Sequence, residues 1–93
     1  METFSFAVLQ PVATRLGHPQ LGGFKLQIPV TGSPTLRQAL EDAGHSDLIQ
    51  ALEDEQLSRM CAFVVKGQVN HARLNLTVQA GDQVYILPAY SGG

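Results

Sequence analysis

Phe4, Phe6 and Val8 occupy alternate positions in the run Thr3-Phe4-Ser5-Phe6-Ala7-Val8-Leu9. That spacing turns bulky side chains to one face of an extended chain and predicts a first strand. Residues 10–23 show little periodicity and carry Pro11, Gly17, Pro19, Gly22 and Gly23, so they read as a long loop with a turn at Gly22-Gly23. Phe24, Leu26, Ile28 and Val30 then alternate with Lys25, Gln27, Pro29 and Thr31, which predicts a second strand. Pro29 offers no ladder N–H and so favours an edge or a strand end. The two strands are expected to form a hairpin.

The period changes at Ser33-Pro34-Thr35-Leu36-Arg37-Gln38. Either Ser33 caps a helix with Pro34 at its first position, or Thr35 caps it with Gln38 closing a capping box. Leu36, Ala39, Leu40 and Ala43 recur at helical spacing, and Gly44 is placed to end the helix in the left-handed conformation. One helix is predicted over 34–43. Ser46 is a second N-cap candidate, with Asp47 in the first turn and Leu48, Ile49 and Leu52 as an apolar stripe, so a shorter helix runs to about Glu55. Beyond it, Cys61–Val65 and Val69–Leu76 predict two strands about a turn at Lys66-Gly67-Gln68. A turn at Ala80-Gly81-Asp82 leads into a last strand, Gln83-Val84-Tyr85-Ile86-Leu87, stopped by Pro88. The expected order is β-β-α-α-β-β-β.

Ala62-Phe63-Val64-Val65 and Val84-Tyr85-Ile86-Leu87 are apolar at both parities. A helix layer covers one side of a small sheet, so part of these runs must point away from the core. A contiguous exposed apolar patch on a small domain marks a docking face for another protein. Composition narrows the field. The 93 residues are 44% hydrophobic and 15% charged with a net charge of -2, which describes one small globular domain too short to enclose a large active-site cavity. Six basic residues, scattered among eight acidic ones, exclude a phosphate-binding stripe and leave nucleic acid a poor partner. No apolar run reaches the length of a membrane span, and Met1-Glu2-Thr3 does not open a signal peptide; the chain is read as cytoplasmic and without a membrane partner.

The chain closes on Ala89-Tyr90-Ser91-Gly92-Gly93, small residues expected to form a free arm with a single main-chain carboxylate. Together with Phe63-Val64-Val65-Lys66-Gly67-Gln68 and Ala80-Gly81-Asp82-Gln83-Val84-Tyr85-Ile86-Leu87-Pro88, this ending resembles the ubiquitin-like sulfur-carrier family of MoaD and ThiS. The resemblance rests on the Gly-Asp-x-Val-x-x-x-Pro and Gly-Gly signature and on the capped helix near Thr35. It departs from common MoaD sequences at Lys66, where Asn is usual, and at Ala89, where a second proline is frequent.

The implied fold is an α+β β-grasp, a mixed sheet of about five strands on one main helix with a second short helix. Residues 1–88 would form the domain and 89–93 a flexible diglycine tail. A C-terminal carboxylate ionises near pH ~3.5 and is a very poor acyl electrophile at neutral pH, so it requires activation. The resemblance implies that an E1-like adenylyltransferase of the MoeB/ThiF type adenylates Gly93 with ATP, and that a persulfide or sulfide then replaces AMP to leave a thiocarboxylate. The chain would bind no cofactor itself, and ATP is used by the activating enzyme. The acceptor would be a sulfur-accepting enzyme or large subunit, first in molybdopterin synthesis, with cysteine or thiazole synthesis next. The alternative is a ubiquitin-like modifier that forms isopeptide bonds through the same Gly93.

The absence of side chains at Gly92 and Gly93 lets enzyme main chain approach closely. Ordering such a tail costs about 1–2 kcal/mol of backbone entropy per residue, so the folded domain must contribute docking free energy. Gly92, Ser91, Tyr90, Pro88, Leu87, Tyr85 and Phe63 are therefore the expected partner contacts. Cys61 heads an apolar strand and reads as a small buried hydrophobe rather than a nucleophile. His18, His45 and His71 lack ligand spacing, so no metal site is expected. Glu53-Asp54-Glu55 reads as a solvated helix end, and Lys25 and Lys66 as surface lysines.

Overall fold

The computed structural model describes residues 2–9, 23–55, 59 and 61–88. The expected loop, and the Gly22 half of its turn, lie outside the described residues. Strand β1 (Thr3–Val8) and strand β2 (Phe24–Pro29) pair antiparallel as the hairpin reading requires, with Phe4 opposite Ile28 and Phe6 opposite Leu26. Phe4, Phe6 and Val8 are at most 1% exposed, which is the side of the pleat their alternation announced.

Helix α1 (Leu36–Asp42) starts in the Thr35 register. The Gln38 N–H donates to Thr35 Oγ1 at 3.1 Å, while the Gln38 side-chain amide donates to Asp42 Oδ1 at 2.9 Å. At the other end Gly44 takes a φ of +83°. Its N–H donates to the Glu41 carbonyl at 3.0 Å, and that of His45 to the Leu40 carbonyl at 2.8 Å, the paired bonds of a Schellman ending. Helix α2 (Ser46–Glu53) corrects the second capping assignment, because Ser46 is its first helical residue and His45 sits at the cap without a side-chain bond. The tight Gly44-His45 exit uses up the residue that Ser46 needed as a lead-in. Leu36, Ala39, Leu40, Leu48, Ile49 and Leu52 are all buried.

Strand β3 (Cys61–Val65) turns at Lys66-Gly67 into strand β4, which is only Gln68–Val69. The expected long strand over Val69–Leu76 does not form. Asn70 Oδ1 accepts from the Ala72 N–H at 2.9 Å, a local bond that turns the chain out of the ladder, and a short 3-10 helix, Arg73–Asn75, follows. Leu74, Leu76 and Val78 are buried at alternate positions, but their partner is the start of α1. The Leu36 N–H donates to Leu76 O at 2.7 Å and that of Val78 to Pro34 O at 2.9 Å.

Strand β5 (Gln83–Pro88) completes a five-stranded sheet of order β2-β1-β5-β3-β4. It lies parallel to β1 and antiparallel to β3. The last strand thus occupies the middle of the sheet, and both helices cover one face. This is a mixed-sheet α+β fold of the ubiquitin-like β-grasp type. The described domain runs to Pro88, and the proposed tail over 89–93 lies outside the described residues.

Candidate functional site: the outward face of the sheet

The turn that launches β5 is built by the Gly-Asp pair of the closing signature. Gly81 has a φ of +89°, the Asp82 N–H donates to Gln79 O at 3.1 Å, and Asp82 Oδ2 accepts from the Gln79 N–H at 3.0 Å. The chain then enters beside β1, with the Gly81 N–H on Thr3 O and the Ser5 N–H on Asp82 O, both at 2.9 Å. These two residues are structural. They set the register that decides which β5 side chains face the helices.

In that register Val84 and Ile86 are fully buried, and Tyr85 and Leu87 point to the other face, half-buried. Tyr85 is flanked by Ala7 on β1 and Val64 on β3, and Leu87 by Ala62 on β3. Val69 lies opposite Val64 on β4 and is 53% exposed. The Tyr85 hydroxyl donates to Gln83 Oε1 at 3.1 Å, so its polar tip is satisfied at the rim while the ring lies on the apolar surface. Across the sheet, Gln27 bonds to Thr3 Oγ1 and Ser5 Oγ at 3.1 and 3.0 Å. The outward face is therefore graded, polar over β2 and β1 and apolar over β5, β3 and β4.

The expected contacts divide. Tyr85 and Leu87 share the apolar half of this face, whereas Pro88, opposite the buried Cys61 and at the parity of Val84 and Ile86, ends the strand on the helix side. Phe63 does not belong with them: it pairs with Ile86, is 1% exposed and lies in the core. Ala62 and Val64, at the opposite parity, are the outward positions of that strand. Tyr90, Ser91, Gly92 and Gly93 lie outside the described residues. Leu9 was missed by the sequence reading. It is 39% exposed, and its N–H donates to Ile86 O at 3.1 Å, which sets it on the β1 side of the β5 end. Val69 was missed too, since it was assigned to a long paired strand. The strand-ending Asn70 was the available signal.

Cys61 is 2% exposed. Burial pushes its thiol up, against a smaller opposing effect from Arg73. It stays protonated and makes a weak nucleophile. The Arg73 guanidinium donates to Cys61 O at 3.2 Å and lies 5.5 Å from the Phe63 ring centroid. It serves the stretch of β3 that the short β4 leaves open, as the Asn70 N–H serves Phe63 O at 2.7 Å. The acidic run at the end of α2 stands at the surface. Glu53 pairs with Arg37 and Glu55 with Arg59, and all three acidic residues are exposed, so the helix end is solvated as expected and carries two surface ion pairs, each worth under about 1 kcal/mol. Among the described residues no three His, Cys, Asp or Glu side chains are grouped to hold a metal ion, and no helix is long and apolar enough to cross a membrane.

No curated protein matches this sequence. In fold, the chain is similar to SAMP1 from Haloferax volcanii, with a TM-score of 0.63 at 21% identity over 98% of this chain and 99% of that one. It is also similar to a structure of H. volcanii small archaeal modifier protein 1, with a TM-score of 0.63 at 19% identity over 97% of this chain and 100% of that one. The ThiS family model matches residues 24–93, from the second strand through the closing glycines. The chain that builds this graded sheet face around a central last strand belongs to the ThiS family.

Proposed function

We propose that this protein is a sulfur carrier that works through the carboxylate of Gly93 and has no catalytic group of its own. The observation that supports it best is the central position of β5, together with a family match that extends through Gly93. A strand held on both sides by β1 and β3 is a rigid base from which the following residues can enter another protein's active site. The neighbouring apolar half-face supplies docking free energy that offsets tail ordering.

Activation proceeds in two balanced steps. An E1-like enzyme transfers AMP from ATP to the carboxylate and releases pyrophosphate, which gives the carboxylate a good leaving group. A sulfide equivalent then attacks the carbonyl carbon, AMP departs, and the thiocarboxylate remains. The acceptor is a larger sulfur-accepting subunit, with molybdopterin synthesis as the first pathway and cysteine or thiazole synthesis after it.

A second reading, protein modification through isopeptide bonds at Gly93, draws on the fold likeness to a protein named small archaeal modifier. Intact mass analysis of the protein from its native cells separates the two. The carrier reading expects replacement of one oxygen by sulfur at Gly93. Conjugates to lysines of other proteins, with no thiocarboxylate form, would replace it with the modifier reading. Free acid alone after incubation with the E1-like enzyme, ATP and a sulfide source would overturn the carrier reading.

A further inference from the structure

The charges of this protein are segregated in a way that its net charge of -2 hides. Among the described residues, the outward strand positions carry no carboxylate. Their one charged residue is Lys25, exposed on β2 opposite Ala7, which in turn neighbours Tyr85. Lys66 stands exposed at the other border, in the β3–β4 turn, where it shares a shallow depression of ≈250 Å³ with Asp82, Gln83 and Tyr85. The Asp82 carboxylate there already accepts the Gln79 N–H.

The remaining described cations are used internally: Arg37 and Arg59 in ion pairs, Arg73 against Cys61 and Phe63. Lys25 and Lys66, the two lysines of the chain, make no ion pair with any described carboxylate. Apart from Asp82, the described acidic groups lie on or beside the helices. Glu2 and Asp42 border a groove of ≈550 Å³ between the end of β2 and α1, while Glu53 ends α2 and Glu55 follows it.

We infer that the apolar half-face docks a folded protein surface whose apolar centre is rimmed by carboxylates, and that Lys25 and Lys66 set the orientation on it. This rests on the carrier reading and specifies the contact surface of the activating enzyme. Charges at the rim of an apolar interface act on encounter and register more than on the total contact energy. A second copy is a poor occupant, because a two-fold contact through this face brings like patches together, and the one described carboxylate at its border, Asp82, already accepts the Gln79 N–H beside Lys66 of its own chain. A lipid surface is also disfavoured, since two lysines supply only about 2 kcal/mol of attraction to anionic lipid and Ala62, Val64, Tyr85 and Leu87 lie half-buried rather than projecting.

The test is ATP–pyrophosphate exchange by the E1-like enzyme of the same cells, with the full chain as protein substrate. Lys25→Glu with Lys66→Glu is expected to raise the KM for the protein about three- to tenfold with kcat unchanged. Lys25→Arg with Lys66→Arg should restore it, and added salt should narrow the difference between wild type and the Glu variant. An unchanged KM in the doubly reversed variant, with an unchanged melting temperature, would overturn the inference and leave the carrier reading intact. No exchange with the wild-type chain would overturn both. Dimerisation at low salt, or co-sedimentation with phosphatidylserine vesicles, that is lost in the doubly reversed variant would reassign the face to those occupants.

Discussion

Tyr85 of β5 and Val64 of β3 face each other across the ladder, both turned away from the helices. Of their immediate neighbours in sequence, Val84, Ile86 and Phe63 are buried at 1% exposure or less, and Val65 is half-buried against the core. One residue of parity therefore separates a core position from a docking position in two runs that are apolar throughout.

Substitution across that boundary should split two effects. Phe63→Ala is expected to destabilise the fold by about 3–5 kcal/mol, the usual cost of emptying a buried aromatic site. Val64→Asp and Leu87→Asp should change stability far less and raise the KM for the activating enzyme. Denaturant melts beside the exchange assay check this, and a large stability loss in both outward variants would contradict the assignment of the face.

Removal of Gly93 should abolish thiocarboxylate formation and leave the melting temperature within about a degree, since a terminal residue past the last strand adds little to the core. A truncated chain that still carried sulfur would refute the assignment of Gly93.

Lys66 has a φ of +55° and Gly67 one of +77° in a two-residue connection between Val65 and Gln68. That combination belongs to the turn type that favours Asn-Gly. Lys66→Asn should stabilise the protein by up to about 1 kcal/mol by relieving left-handed strain. A midpoint in urea that moved down would argue against that backbone.

Gly81→Ala isolates the opposite case. No atom lies within 4 Å of the added methyl, so its expected cost of about 1–2 kcal/mol is backbone strain at φ +89° alone. A loss well above that range would require a contact at this site.

The raised thiol of Cys61 makes stability depend on alkaline pH. Above about pH 8.5 the unfolded chain releases the thiol proton while the folded chain retains it, so the unfolded state binds fewer protons and stability falls as pH rises. Cys61→Ala should flatten the melting temperature between pH 8 and 10, roughly the range of that titration. An equal alkaline decline in both proteins would refute the linkage.

Much of the architecture was legible. Phe4, Phe6 and Val8 declared their face because polar or small residues separate them, and Thr35 and Gly44 declared the limits of α1 because capping chemistry is local. Phe63 and Val64 could not be told apart, since neither neighbour is polar. The run after Val69 misled because Leu74, Leu76 and Val78 alternate like a strand and are buried against the start of α1 instead.

The sequence by itself determined the local elements up to Val65 and the last strand, the closing diglycine and the surplus of apolar side chains, because each is written in short-range spacing. Only the tertiary structure decided which parity faces outward, that the last strand lies between β1 and β3, and that Lys25 and Lys66 border one face. Those relations join residues far apart in the chain, and they follow from the ladder register and from which side of the sheet the helices cover.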